Sequence, residues 1–258
     1  MTNWLRSLLG FRDTRQTRVP DALWQQTLVE HPFLASRRDA DTAKLRALAG
    51  QFLAQKQFSG AHGLVVTDEM AVAIAAQACL PVLHLGLQLY SDFKGIVVHP
   101  GAMLARRSVV DAAGVHHFYK EELVGEAMEG GPVTLSWQDA AGSSEHQARG
   151  YNVVIHEFVH KIDMRDGTAN GCPPLASRHA KTVWQATMQT AYEAFREQVV
   201  IAERFGGPPP WLDAYAATSP AEFFAVTSEA YFVNPARFEA DFPSLQPLFD
   251  TFYRPENG

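Results

Sequence analysis

Asn152-Val153-Val154-Ile155-His156-Glu157-Phe158-Val159-His160-Lys161-Ile162-Asp163 is the stretch on which the reading of this 258-residue chain turns. The run predicts one helix over Asn152 to Asp163, with Gly167, Gly171, Pro173 and Pro174 marking the loop after it. Inside that helix stands His-Glu-x-x-His. Histidines four apart lie one turn from each other on one helix face, so both imidazoles can reach one ion. A catalytic zinc site takes three protein ligands and leaves a position for water. Glu157 follows the first histidine, where it can serve that water as general base. The bland alternative is a helix with two surface histidines and a solvated glutamate. Against it, Val153, Val154, Ile155, Phe158, Val159 and Ile162 surround the polar trio, and buried polar groups need partners.

The third ligand must come from elsewhere. Position 166 is Asp166, not histidine, which departs from the metzincin spacing and favours a carboxylate. The downstream segment Tyr215-Ala216-Ala217-Thr218-Ser219-Pro220-Ala221-Glu222-Phe223-Phe224-Ala225-Val226-Thr227-Ser228-Glu229 offers Glu222 and Glu229. Ser219, Pro220 and Glu222 also read as N-cap, N1 and N3 of a capping box. Spacing alone divides Glu222 evenly between ligand and cap. Tyr215, on spacing alone, is a core aromatic ahead of a helix. Asp163 shares a face with both histidines; it can accept an imidazole N–H, close the helix or pair with Arg165. Glu229 is a candidate to orient a ligand, against the commoner fate of a solvated helix face.

Composition bounds the rest. Twenty-two basic and 28 acidic side chains give a formal charge of −6, and 47% of residues are hydrophobic. That is the balance of a soluble globular chain with a sizeable core. Residues 1–60 hold nine Lys/Arg against five Asp/Glu, scattered and without aromatic interleaving, so no nucleic-acid footprint is expected. Cys79 and Cys172 are too few for a disulfide framework or a cysteine-rich metal site. Trp4 to Phe11 is too short for a secretory signal, and Met70 to Tyr90 contains Gln77, Pro81, His84 and Gln88. No membrane association is expected, and the cytoplasm is the default location.

Coarser patterning adds helices over Pro20–Val29, Asp39–Gln57 (capped by Asp39 or Asp41), Asp68–Cys79, Ser177–Phe205 and Ser219–Phe232. Short helices broken by Pro243 and Pro247 fill Pro235–Tyr253. Strands are expected at Gly63–Thr67, Gly95–His99, Val115–Tyr119 and Val133–Trp137. Gly95–His99 or Val133–Trp137 is the candidate edge strand for pairing with an extended peptide. The remaining histidines show no ligand spacing.

His156-Glu157-Phe158-Val159-His160-Lys161-Ile162-Asp163 and Tyr215 to Val226 together resemble the Mlc titration factor A family of zinc peptidases. In the site they are also similar to the anthrax lethal factor peptidase domain. The agreement extends through Ile96-Val97-Val98-His99-Pro100-Gly101, Gly131-Pro132-Val133-Thr134-Leu135-Ser136-Trp137 and Phe242-Pro243-Ser244-Leu245. It implies an α+β, zincin-like (gluzincin-like) metallopeptidase with a small mixed sheet and a mainly helical C-terminal half. Residues 1–90 would form a mainly helical region packed on a catalytic region, 91–258, with a single domain as the alternative. The resemblance makes Glu222 the third ligand of one Zn²⁺ per chain, beside His156 and His160. It makes Glu157 the catalytic base and Tyr215 the hydrogen-bond donor to the oxyanion. The lethal factor pattern has a glutamate one turn after the ligand; here Val226 stands there, so support for the ligands must be arranged differently. The resemblance further implies aminopeptidase-like action on peptides, and regulation of the glucose phosphotransferase system through binding the repressor Mlc. Two rivals remain: a non-catalytic zinc-containing binding regulator, and a zinc hydrolase of a non-peptide amide.

Overall fold

Alternating burial marks the strand Gly95–His99, around which the sheet is built. The computed structural model describes residues 18–110 and 116–255; the apolar stretch Trp4–Phe11 and Val115 lie outside them. In chain order the strands are β1 (Gln57–Gly60), β2 (Gly95–His99), β3 (Met103–Val110), β4 (His116–Leu123), β5 (Gly125–Ala127) and β6 (Val133–Ser136). Ile96 and Val98 point into the core while Val97 and His99 are half-buried, the period of two that a one-sided sheet requires. Four strands form a mixed sheet in the order β1-β2-β6-β5, parallel except for β5, which runs antiparallel to β6 at the edge. β3 and β4 form a separate antiparallel pair.

Two expectations change here. The first strand lies at Gln57–Gly60 rather than Gly63–Thr67, because His62 (φ 52°) and Gly63 (φ 80°) take left-handed conformations that turn the chain. β2 and β6 are interior strands with both edges paired, so neither can accept a peptide; the edges belong to β1 and β5. The sheet also spans the expected boundary near residue 90, since β1 pairs with β2 across it.

The helices are α1 (Asp21–Glu30), α2 (Pro32–Ala35), α3 (Asp39–Gln55), α4 (Asp68–Cys79), α5 (Trp137–Ala140), α6 (Ser144–Ala148), α7 (Val153–Asp163), α8 (Arg178–Phe205), α9 (Pro220–Val233), α10 (Pro235–Asp241) and α11 (Gln246–Tyr253). Their starts follow capping chemistry. Asn152, Ser177 and Ser219 accept the N–H of Ile155, Ala180 and Glu222 at 2.9, 3.1 and 3.2 Å. Thr67 caps α4, accepting the Met70 N–H. Arg38 precedes α3 without a side-chain cap, and Asp41 pairs with it at 3.1 Å instead of capping. Pro247 sits in the first turn of α11, where a missing N–H costs nothing, so Pro243 is the break and Pro247 is not.

Packing explains why α7 is buried. Every residue of α4 from Met70 to Cys79 is buried, and the helix is wedged between α3 and α7. Phe158 on α7 packs against Phe52, Tyr90 and Phe93 at ring separations of 5.6, 5.0 and 5.9 Å. On its other side α7 meets α9, which a second aromatic cluster anchors to α8 and α11. There Trp184 stacks on Phe249 at 5.6 Å and meets Phe224 edge-on at 5.4 Å. Each such pair adds about 0.5–1.5 kcal/mol beyond its buried area. Among the described residues no helix is long and apolar enough to cross a membrane.

Candidate metal centre

α7 and α9 cross with one polar patch between them. His156 and His160 project from α7, their Nε2 atoms 3.1 Å apart. Glu222, on the first turn of α9, brings Oε2 to 3.0 Å from His156 Nε2 and 3.2 Å from His160 Nε2. These three are the group of donors among the described residues that can hold a metal ion. The capping question resolves without conflict. Ser219 caps through its hydroxyl and the Glu222 backbone N–H, while the Glu222 carboxylate turns to the histidines.

Glu229 is not solvated. It is 1% exposed, and its Oε1 lies 2.7 Å from His156 Nδ1. A carboxylate at Nδ1 accepts the hydrogen bond of Nδ1–H, and the neutral tautomer with its proton there turns the Nε2 lone pair towards an ion held with His160 and Glu222. That tautomer is what a metal ligand needs, and the donor set fits an ion. The other Glu229 oxygen accepts the Asn152 N–H. Asn152 Nδ2 then donates to Gln77 Oε1 at 2.7 Å, and Gln77 Nε2 donates to Ala73 and Ala140 carbonyls, each at 3.1 Å. A buried polar chain thus runs from His156 into α4. Asn152 and Gln77 escaped the sequence reading as site residues; a glutamine amid the alanines of α4 was the available signal.

Asp163, the last residue of α7, is buried. Its Oδ2 accepts the N–H groups of Asn170 and Gly171 at 2.8 and 2.7 Å, and Arg165 pairs with Asp92 at 3.4 Å. Asp163 therefore holds the loop after α7, whose Gly171 packs on Pro220 at the start of α9. Burial raises its pKa, against the pull of those N–H groups.

Glu157 lies one residue from His156, 5% exposed, and is faced by β5. Burial pushes its pKa up to about 7, although His156 and His160 pull it down. A Cβ added to Gly125 would stand 2.7 Å from Glu157 Cγ and 2.8 Å from Cδ, so only glycine lets β5 come this close. Burial works against a charged His156, but hydrogen bonds to Glu222 and Glu229 outweigh it and raise its pKa well above the ordinary value. Glu222 moves the other way: burial opposes ionisation, and the two histidines more than offset it.

Tyr215 sits on a short 3₁₀ turn, Ala214–Ala217, 45% exposed, with its ring 6.3 Å from that of His156. It is therefore no core aromatic. Asp213 fixes the turn by accepting the Tyr215 N–H at 2.9 Å. A cavity of about 870 Å³ opens beside these groups, lined by Gly125, Tyr151, His156, Glu157, Trp211 and Tyr215 among others.

A buried N,N,O donor set with an adjacent carboxylic acid and an open cavity can bind a metal and move a proton. Known proteins agree with that chemistry. Mlc titration factor A of Yersinia pestis (strain Pestoides F) is 35% identical over 234 residues, covering 90% of this chain and 84% of the relative. The protein of the same name from Yersinia pseudotuberculosis serotype O:1b (strain IP 31758) matches to the same extent. Residues 3–254 match the family described as glucose-regulated metallo-peptidase M90, and the chain belongs to that family of metallopeptidases.

Proposed function

We propose that this protein is a zinc peptidase that uses His156, His160 and Glu222 as ligands and Glu157 as its base. The observation that carries the reading is the convergence of those three donors, with the Glu157 carboxyl beside them under the sheet edge. Two imidazole nitrogens and one carboxylate oxygen suit zinc. When bound, zinc supplies Lewis acidity that polarises the scissile carbonyl and acidifies water. Glu157 takes the proton of the attacking water and passes it to the departing amine. Its raised pKa suits a group that must both accept and release a proton near neutrality. Tyr215 donates a hydrogen bond from its hydroxyl to the developing oxyanion. Glu229 orients His156, and Asp163 holds the loop that supports α9.

The substrate follows from β5. Ser136 N donates to Val124 O at 2.7 Å and Met128 N donates to Pro132 O at 3.5 Å, so alternate residues Gly125 and Ala127 turn their backbone groups away from β6. An extended peptide pairing there would pass over Glu157 and the metal ligands. The resemblance supports aminopeptidase-like cleavage in the cytoplasm, and the relatives' name supports Mlc as a partner, to be tested by co-purification. Metal analysis and peptide cleavage together test the whole reading. Wild type and Glu157→Gln should retain zinc, with cleavage lost in the variant, while His156→Ala should lose zinc. Wild-type protein that binds no stoichiometric metal would overturn it.

A further inference from the structure

The motif Gly131-Pro132-Val133-Thr134-Leu135-Ser136-Trp137 and the lysine after His160 have no part in the chemistry above. The structure joins them. Lys161 is 0% exposed, an unusual place for an ammonium group. Its Nζ donates to the carbonyl of Met128 and, at 2.8 Å, to that of Gly131. These two carbonyls belong to the turn that joins β5 to β6. The ammonium also lies 4.5 Å from the centre of the Phe93 ring. Phe93 is fixed in turn by Lys56, whose Nζ donates to the Phe93 carbonyl at 2.7 Å and covers the ring at 3.7 Å.

Glu157 and Lys161 are four residues apart, one turn along the same face of α7. Both meet the β5–β6 hairpin, Glu157 at Gly125 and Lys161 at the turn. The histidines occupy the neighbouring stripe. One helix thus carries the metal ligands on one stripe and grips the edge strand at both ends with the next. A buried ammonium is costly unless its hydrogen bonds are met. A mere filler at this position would be served by methionine.

We propose that Lys161 is a positioning residue that locks the β5–β6 hairpin against α7, setting the outward backbone groups of Gly125 and Ala127 at the height of Glu157 for an extended peptide. This rests on the peptidase reading for its catalytic consequence but not for its structural one.

The test compares wild type with Lys161→Met and Lys161→Gln, all zinc-loaded, on an internally quenched octapeptide and a single-residue fluorogenic amide. The octapeptide has backbone to pair with β5 and the small amide has almost none. Lys161→Met should raise KM for the octapeptide about tenfold, with kcat/KM for the small amide within about twofold. Lys161→Gln, which keeps a donating but uncharged and shorter NH2 group, should fall between, and it carries the test if Lys161→Met does not fold. Amide exchange gives a second readout: Met128, Gly131 and Ser136 should exchange about tenfold faster in the variants, with α7 unchanged. Equal losses on both substrates, or unchanged exchange in the hairpin, would overturn the proposal. If wild type cleaves neither substrate, the peptidase reading falls and the exchange result alone decides whether Lys161 holds the hairpin.

Discussion

At the scale of single residues, the site depends on side chains that act on one another before they act on a substrate. Glu229 removes the proton ambiguity of His156, so Glu229→Ala should weaken zinc affinity by about 10–100-fold without abolishing binding. Glu222→Ala should lose the metal. Competition with a zinc-sensitive dye measures both, and the reverse order would exchange the roles of the two carboxylates. Gly125→Ala places a methyl group where the Glu157 side chain lies. It should lower kcat at least about tenfold with zinc content unchanged, since a displaced base loses its proton-transfer geometry. Preserved kcat would show that Glu157 can move freely. His156, Glu157 and His160 were legible because helical spacing alone puts the two histidines on one face. Glu222 was not, because the same four residues spell a cap and a ligand, and in the structure the backbone N–H meets the cap while the carboxylate faces the histidines. Glu229 was obscured by the expectation that a glutamate on a helix is solvated.

Elements carry the next level of the account. α7 begins at Asn152, whose side chain caps the helix and also satisfies Gln77. Asn152→Ala removes the cap and leaves a buried amide oxygen with one partner fewer, and should destabilise the fold by about 2 kcal/mol. Urea unfolding checks this; a loss below about 0.5 kcal/mol would mean that the polar chain is dispensable. Between α1 and α2, His31 is 3% exposed and burial lowers its pKa from 6.5 to about 4. Between those two pH values the unfolded chain binds the proton and the folded chain does not. Stability is therefore full above about pH 6.5 and declines as pH falls towards 4, by an upper bound of about 3 kcal/mol. His31→Gln should flatten that part of the curve, and an unchanged slope would assign the acid sensitivity to other groups. Helices such as α7, α8 and α9 were readable from caps and apolar spacing. β5 was not, since Gly125-Glu126-Ala127 has neither β-branched residues nor alternation, and only pairing with β6 makes it a strand. β1 was misplaced for a similar reason: its position is fixed by its partner Gly95–Val98 rather than by its own composition.

For the whole molecule, the metal centre is a product of packing between distant segments. β1 and α4, from the first third of the chain, complete the sheet and wall α7, while α9 and its aromatic anchors come from the last third. We therefore read residues 18–255 as one cooperative unit, despite the boundary expected near residue 90. Thermal unfolding followed by tryptophan fluorescence and by far-UV circular dichroism should give coincident transitions. Two separated transitions would restore the boundary. The scarcity of cysteine has its main consequence here: a metal is left to histidine and carboxylate. The most direct test of the central claim is peptide cleavage by Glu157→Gln at zinc content matched to wild type. We predict a loss of at least about 100-fold in kcat with zinc retained; cleavage equal to wild type would contradict the assignment of Glu157 as the base.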